Sequence, residues 1–139
     1  MRTLFLDTNV ILDYIARRDK CEFMDVLIQI SLDCDDVLCS SLLSFANMAY
    51  ILRKHPHEER VQVFRMLRKF IRIIPADDKQ FDQALDRRVS DFEDYLQYQA
   101  ALAYGCTHII TNNAKHFREF SELPVLDAEE FIVSIQSPE

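Results

Sequence analysis

The chain has 139 residues, 49% of them hydrophobic and 28% charged, with a net charge of −7. That length supports one domain with a proper core, and the acidity excludes a generic nucleic-acid coat, which would be basic. A lone glycine, Gly105, excludes glycine-rich phosphate loops, and no apolar run reaches the roughly 20 residues of a membrane span.

The N-terminus runs straight into a strand pattern with no signal-peptide layout, which predicts a cytoplasmic protein. Cys21, Cys34, Cys39 and Cys106 have no paired ligand spacing. In a reducing compartment they read as small core residues, and no zinc site is expected. Acidity leaves room for carboxylates around a divalent cation, because the cation brings its own charge.

Leu4 to Leu6 is an apolar run that stops abruptly on Asp7, followed by Thr8 and Asn9. It reads as a strand buried on both faces, the kind found inside parallel sheets. Val10, Ile11, Tyr14 and Ile15 then recur at helical spacing. A second helix is predicted from about Cys21 to Leu32, with Phe23, Val26, Leu27 and Ile30 inward. Asp33, Asp35 and Asp36 read as a solvated turn ahead of a strand at Val37 to Cys39. Ser40 or Ser41 caps a largely buried helix running to about Lys54, in which Phe45, Met48, Ala49, Ile51 and Leu52 are apolar and Asn47 is polar.

His55-Pro56-His57 breaks that helix, and another follows from about Glu58 to Phe70. Arg53, Lys54, Arg65 and Arg68 belong to the densest basic region of the chain. They either solvate a helix or contact RNA or a protein partner. Ile71 to Ile74 is a third strand. Asp77 or Asp78 caps a short helix through about Arg88. Ser90 or Asp91 opens a helix to Tyr104, with Gly105 as its natural stop. Thr107 to Thr111 is a fourth strand with a polar end at Asn112 and Asn113. A short segment from Ala114 to Phe120 leads to a fifth strand at Leu123 to Leu126. Asp127 caps a last helix, with Phe131, Ile132 and Ile135 facing in. Regular alternation without a linker or repeat predicts one α/β domain, residues 1–139, with a mainly parallel sheet of about five short strands.

Ligand sites in such sheets lie beyond the carboxyl ends of the strands. Asp7 ends strand one, and Thr111, Asn112 and Asn113 end strand four. Asp91 and Asp94 share one face of a first helical turn, where their charge also suits the helix dipole. Oxygen ligands of this kind suit Mg²⁺ or Mn²⁺, and a bound cation relieves the repulsion between carboxylates. Acids at strand ends therefore suit hydrolysis of a phosphate ester.

The sequence resembles the PIN-domain family, in particular VapC-like toxins of toxin–antitoxin pairs. The carriers are Phe5-Leu6-Asp7-Thr8-Asn9-Val10-Ile11-Leu12-Asp13, Asp91-Phe92-Glu93-Asp94 with its alanine-containing helix, and Ile109-Ile110-Thr111-Asn112-Asn113 followed by Phe117. The resemblance implies a three-layer α/β/α fold and an Mg²⁺- or Mn²⁺-dependent endoribonuclease, commonly dimeric and inhibited by an antitoxin. Asp7 matches its first acidic ligand and Asp94 its third, with Asp91 as a neighbouring candidate. Asn113 stands where members carry Asp or Asn. Asn9 and Thr111 match residues that orient the acids and their water. The departure is Asn47, which stands where the family usually has a Glu. Asn can lend an oxygen to a metal but carries no charge and cannot act as a base. Two neutral positions leave a second reading open, a PIN fold that binds RNA or protein without cutting. A dehalogenase-type phosphatase fits less well, since Asn9 cannot replace the second Asp of its first-strand motif.

Overall fold

A computed structural model describes residues 1–136. The first half of the chain gives β1 (Thr3–Leu6), α1 (Thr8–Ile15), α2 (Cys21–Asp33), β2 (Val37–Ser41), α3 (Leu42–Ile51), α4 (His57–Arg68) and β3 (Arg72–Ile74). The second half gives α5 (Asp78–Leu85), α6 (Phe92–Tyr104), β4 (His108–Ile110), α7 (Ala114–Arg118), β5 (Val125–Leu126) and α8 (Ala128–Gln136). The five strands form one sheet in the order β3-β2-β1-β4-β5, and every pairing is parallel.

Side chains alternate across a strand, so β1 feeds both layers of core. Leu4 and Leu6 join Leu38 and Ile110 on one face, against Val10 and Ile11 of α1, Leu27 of α2, Met48 of α3, Leu67 of α4 and Phe131 of α8. Phe5 joins Cys39, Ile74 and Ile109 on the other, against Ala84 of α5, Tyr95, Tyr98 and Ala101 of α6 and Phe117 of α7. This is the three-layer α/β/α sandwich, with β1 at its centre.

Local chemistry sets the helix ends. The Ser41 hydroxyl accepts from the Ser44 N–H at the start of α3. Asp77 and Gln80 form a reciprocal capping box on α5. The Asp91 carboxylate accepts from the Asp94 N–H on α6, and Gly105 ends that helix at φ +89°, where an L side chain would be strained.

Five expectations are corrected. Helix α3 stops at Ile51, three residues before Lys54, and α5 stops at Leu85 rather than Arg88. Val26 points outward at 42% exposure, because the buried stripe of α2 runs through Met24, Leu27 and Ser31 and Val26 lies off that face. Ile51 is 55% exposed; it lines an open apolar groove with Leu12, Ile15 and Val63 between α1, α3 and α4. The aspartate turn is only partly solvated. The Asp36 carboxylate is buried and takes bonds from the Arg2 N–H, Nε and Nη2 at 2.9, 3.0 and 2.7 Å. Arg2 also lies over the Phe131 ring, so this pair ties the N-terminus to the α2–β2 turn and to α8.

Candidate active site

The strand order reverses between β1 and β4, and the carboxyl ends of these two strands frame the crevice where open α/β sheets place ligands. Asp7 stands there, 6% exposed. Its backbone N–H donates to Ile110 O at 2.9 Å, which locks it to β4. One carboxylate oxygen accepts from the Thr8 N–H at 2.8 Å. The other accepts from the Thr111 hydroxyl at 2.7 Å. The Asn113 N–H donates to that same hydroxyl at 3.0 Å, so the Thr111 proton is committed to Asp7. Burial pushes the Asp7 carboxyl above the usual carboxylate range; the Thr111 and Thr8 bonds oppose this, and Glu93 adds a further push.

Helix α6 delivers the second acid. Asp94 is buried in its first turn, and Asp91 caps that turn. The Asp94 carboxyl is pushed up to about 7, first by burial and then by the charges of Asp7, Asp91 and Glu93. His116 of α7 brings its Nδ1 to 3.3 Å from Asp94 Oδ2. One ligand atom from each of Asp91, Asp94 and His116 falls within 4.8 Å of the others. Three carboxylates crowd Asp94 strongly enough to hold its proton, and a cation relieves that crowding.

The contact between α3 and α6 completes the site. Gln97 is 1% exposed. The Ser41 hydroxyl donates to its Oε1, and its Nε2 donates to Ser44 Oγ at 2.9 Å. One turn toward the start of α6, on the same face, Glu93 accepts from Asn47 Nδ2 at 3.0 Å. Asn47 is therefore drawn to the acids by a carboxylate on the facing helix.

Of the residues singled out in the sequence, Thr111 bonds Asp7 directly and Asp91 bonds the Asp94 N–H, and the charge of Asp7 reaches the Asp94 carboxyl. Asn9 does not bond Asp7; its Oδ1 accepts from the Asn112 N–H at 3.5 Å. Asn112 Nδ2 reaches Asp13 Oδ2 at 2.7 Å, and Asp13 pairs with Arg18. This chain of contacts braces the end of β4 against α1. Asn113 is exposed and starts α7 without a side-chain cap bond. Arg53 stacks over Tyr50 at 4.0 Å, and Arg68 Nη1 reaches Ile71 O at 3.3 Å. Among the described residues no hydrogen bond or ion pair joins Arg53, Lys54, Arg65 or Arg68 to the acids. Sequence reasoning missed Glu93, Gln97 and His116. Only Glu93 left a signal, as a third acid inside Asp91-Phe92-Glu93-Asp94.

A parallel α/β/α domain that gathers buried carboxylates at the switch point of its sheet defines the class: an acidic-site α/β protein. The chain belongs to the PIN-domain family, whose sequence profile matches residues 3–115. It is 30% identical over 135 residues to Ribonuclease VapC1 of Aquifex aeolicus (strain VF5), covering 92% of each chain. Among solved structures it resembles DNA-bound VapBC of Salmonella typhimurium (TM-score 0.69, 16% identity, 92% of this chain and 99% of that one). It also resembles VapBC-1 of nontypeable Haemophilus influenzae (TM-score 0.68, 18% identity, 91% and 98%). At those identities the structural likeness carries the fold.

Proposed function

We propose that the chain is an Mg²⁺- or Mn²⁺-dependent endoribonuclease of VapC type, the toxin of a toxin–antitoxin pair. The observation that carries this reading is the burial of both Asp7 and Asp94 beyond the central strands, with the Asp94 carboxyl pushed up to about 7 by burial and by its acidic neighbours. The donor set fits a hard cation: carboxylate oxygens of Asp7, Asp94 and Asp91, with amide oxygens of Asn47 and Asn113 available as neutral ligands. Bound there, such a cation would lower the pKa of a water and neutralise charge on an RNA phosphodiester.

The chain's own residues do the rest. Thr111 orients Asp7 by donating to one oxygen and leaves the geometry of the other to the Thr8 N–H. Asp91 spends one oxygen on the helix cap, which fixes the first turn that carries Asp94. Asn9 and Asn112 brace the loop after β4 against α1. Arg53, Lys54, Arg65 and Arg68 are the RNA-contacting group, drawing the phosphate backbone toward an otherwise acidic molecule. RNA as substrate rests on the likeness to the Aquifex ribonuclease, and an antitoxin partner on the likeness to VapBC complexes. A homodimer and a cytoplasmic location complete the reading, in keeping with four free thiols.

The test is cleavage of structured RNA by the purified chain over a range of Mn²⁺ and Mg²⁺ concentrations. Asp7→Asn is expected to lower the rate at least about 100-fold. Its melting temperature should stay level or rise, because a desolvated acid has been removed. RNA cleavage at the parent rate by Asp7→Asn would sink the mechanism. RNA binding without cleavage at any metal level would replace it with a non-catalytic binding module, the reading that the neutral Asn47 and Asn113 favour.

A further inference from the structure

Helix α7 packs against α6, and a two-point clamp fixes one to the other. Both oxygens of Glu119 are spent on Ser90: Oε1 accepts from the Ser90 N–H at 3.0 Å and Oε2 from its hydroxyl at 2.8 Å. The next residue, Phe120, packs on Tyr95 and Tyr98 of α6, with ring centroids 4.9 and 5.3 Å away. Ser90 stands directly before Asp91, and Glu119 stands three residues after His116. The clamp therefore sets His116 against the first turn of α6.

Three side chains converge there with ligand atoms to spare. Asp91 gives one oxygen to the Asp94 N–H and keeps Oδ2 free of hydrogen bonds among the described residues. Asp94 is 7% exposed, yet among those residues no N–H or O–H donates a hydrogen bond to its carboxylate. Buried acceptors are ordinarily satisfied, so this carboxylate lacks a partner. His116 Nδ1 stands 3.3 Å from Asp94 Oδ2 without making a hydrogen bond to it. One ligand atom from each of the three lies within 4.8 Å of the others. Atoms bound at about 2.1 Å to one ion lie roughly 3–4 Å apart, so small side-chain rotations close the set. Asp91 and His116 also line a solvent-open cavity, which leaves room for water ligands. Lys115 lines the same cavity but makes no ion pair with either acid among the described residues.

We propose that Asp91, Asp94 and His116 form a mixed oxygen–nitrogen site for a transition-metal dication, with His116 Nδ1 as the nitrogen ligand. Imidazole nitrogen suits transition ions, whereas Mg²⁺ takes oxygen ligands. The site therefore prefers Mn²⁺ to Mg²⁺ because of one nitrogen. Ser90 and Glu119 are the positioning pair that sets the histidine against the two acids. This inference rests on the cation-dependent reading above and names the class of ion.

The experiment is electron-spin-echo spectroscopy of Mn²⁺ bound to the purified full chain, with calorimetric titration of Mn²⁺ and of Mg²⁺ on the same samples. The variants are His116→Gln and Asp91→Asn, the latter keeping a good helix cap while losing the charge. His57→Gln, at the exposed start of α4, is the control. The parent should show the modulation of a directly bound imidazole nitrogen, and His57→Gln should match it. His116→Gln should abolish the modulation and weaken Mn²⁺ binding about tenfold, with Mg²⁺ binding changed less than about twofold. Asp91→Asn should keep the nitrogen signal and weaken Mn²⁺ binding about threefold to tenfold. A purely structural contact between His116 and Asp94 would give no nitrogen signal and would shift both ions alike. A parent that binds Mn²⁺ without nitrogen modulation, or a modulation that survives His116→Gln, overturns this inference and leaves the cation-dependent reading standing. Parent-like Mn²⁺ affinity in Asp91→Asn overturns the three-ligand set. A parent that binds no Mn²⁺ overturns this inference together with the cation-dependent reading.

Discussion

Asp7 and Asp94, the two buried acids of the candidate site, are held by opposite kinds of support. Asp7 is 6% exposed and hangs from the sheet: its N–H is bonded to β4, one oxygen accepts from the Thr8 N–H, and the other from the Thr111 hydroxyl, which itself accepts from the Asn113 N–H. Asp94 is 7% exposed and sits in the first turn of α6, where its N–H donates to the capping Asp91 carboxylate. The sheet-borne half cannot move without breaking strand pairing, so its acid bears a cost of burial that only the Thr111 and Thr8 bonds offset. The helix-borne half is set by how α3 and α6 are seated against each other. A site built this way can change the identity of its helix-borne acids while keeping the sheet-borne one, because only the latter is fixed by the backbone of the central strands.

The sharpest way to break that contrast is at Gln97, which touches no acid. Gln97→Leu keeps the volume but leaves the hydroxyls of Ser41 and Ser44 without their buried partner. Unsatisfied buried groups cost roughly 1–3 kcal/mol each, so the expected loss is about 3 kcal/mol, or roughly 10 °C in melting temperature for a chain of this size. Mn²⁺ affinity should fall with it, because Asp94, one turn before Gln97 on α6, loses its seating. A variant that melts early yet binds Mn²⁺ as the parent does would mean that the helix seating does not reach the site.

A second contrast concerns protons. Asp94 holds its proton to about 7 in the folded chain, whereas an unfolded aspartate titrates near about 3.9. The folded state therefore binds that proton more tightly. The stability it contributes is full below about pH 4 and is lost as pH rises toward and through 7. The metal-free chain should melt at progressively lower temperature from pH 4.5 to 7.5, and Asp94→Asn should flatten that slope. A cation competes with the same proton. Mn²⁺ binding at pH 6 should release close to one proton, and at pH 8.5 close to none. Calorimetry in two buffers of different ionisation enthalpy measures the difference. Equal release at both pH values would mean that Asp94 is not in the cation's way.

Asp7, Thr111, Asp91 and Asp94 were legible because each sits where a local pattern changes: an apolar run that stops on a carboxylate, a strand that ends in polar residues, a helix start marked by acids. The α/β alternation and the stop at Gly105 were legible for the same reason. What was not legible depends on strand order. Arg2 meets Asp36 across 34 residues, Asn47 meets Glu93 across 46, and Ser44 meets Gln97 across 53. No local pattern says that the chain will return β4 to the side of β1 and so bring α6 against α3. Val26 and Ile51 were misjudged on another ground. Hydropathy marks a residue as apolar, but the direction of the buried stripe, and where a helix passes the edge of the layer beneath it, decide whether it is covered.

The smallest expected effect separates hydrogen bonding from packing at the sheet-borne half. Thr111→Val keeps the branched shape that suits the end of β4 and removes only the hydroxyl. Asp7 then loses one of the two bonds that oppose the upward push of burial, and the Asn113 N–H loses its acceptor. The Asp7 carboxyl should hold its proton to higher pH, so Mn²⁺ affinity at pH 7 should drop by about threefold to tenfold, the size of one hydrogen bond to a charged group. Raising the pH to 8.5 should recover most of that loss, because the cation no longer competes with a proton. Thr111→Ser should bind as the parent does at both pH values. If Thr111→Val loses affinity equally at pH 7 and 8.5, the hydroxyl acts by holding the carboxylate in place for the cation rather than by favouring its charged form. Titrating the three proteins side by side distinguishes the two.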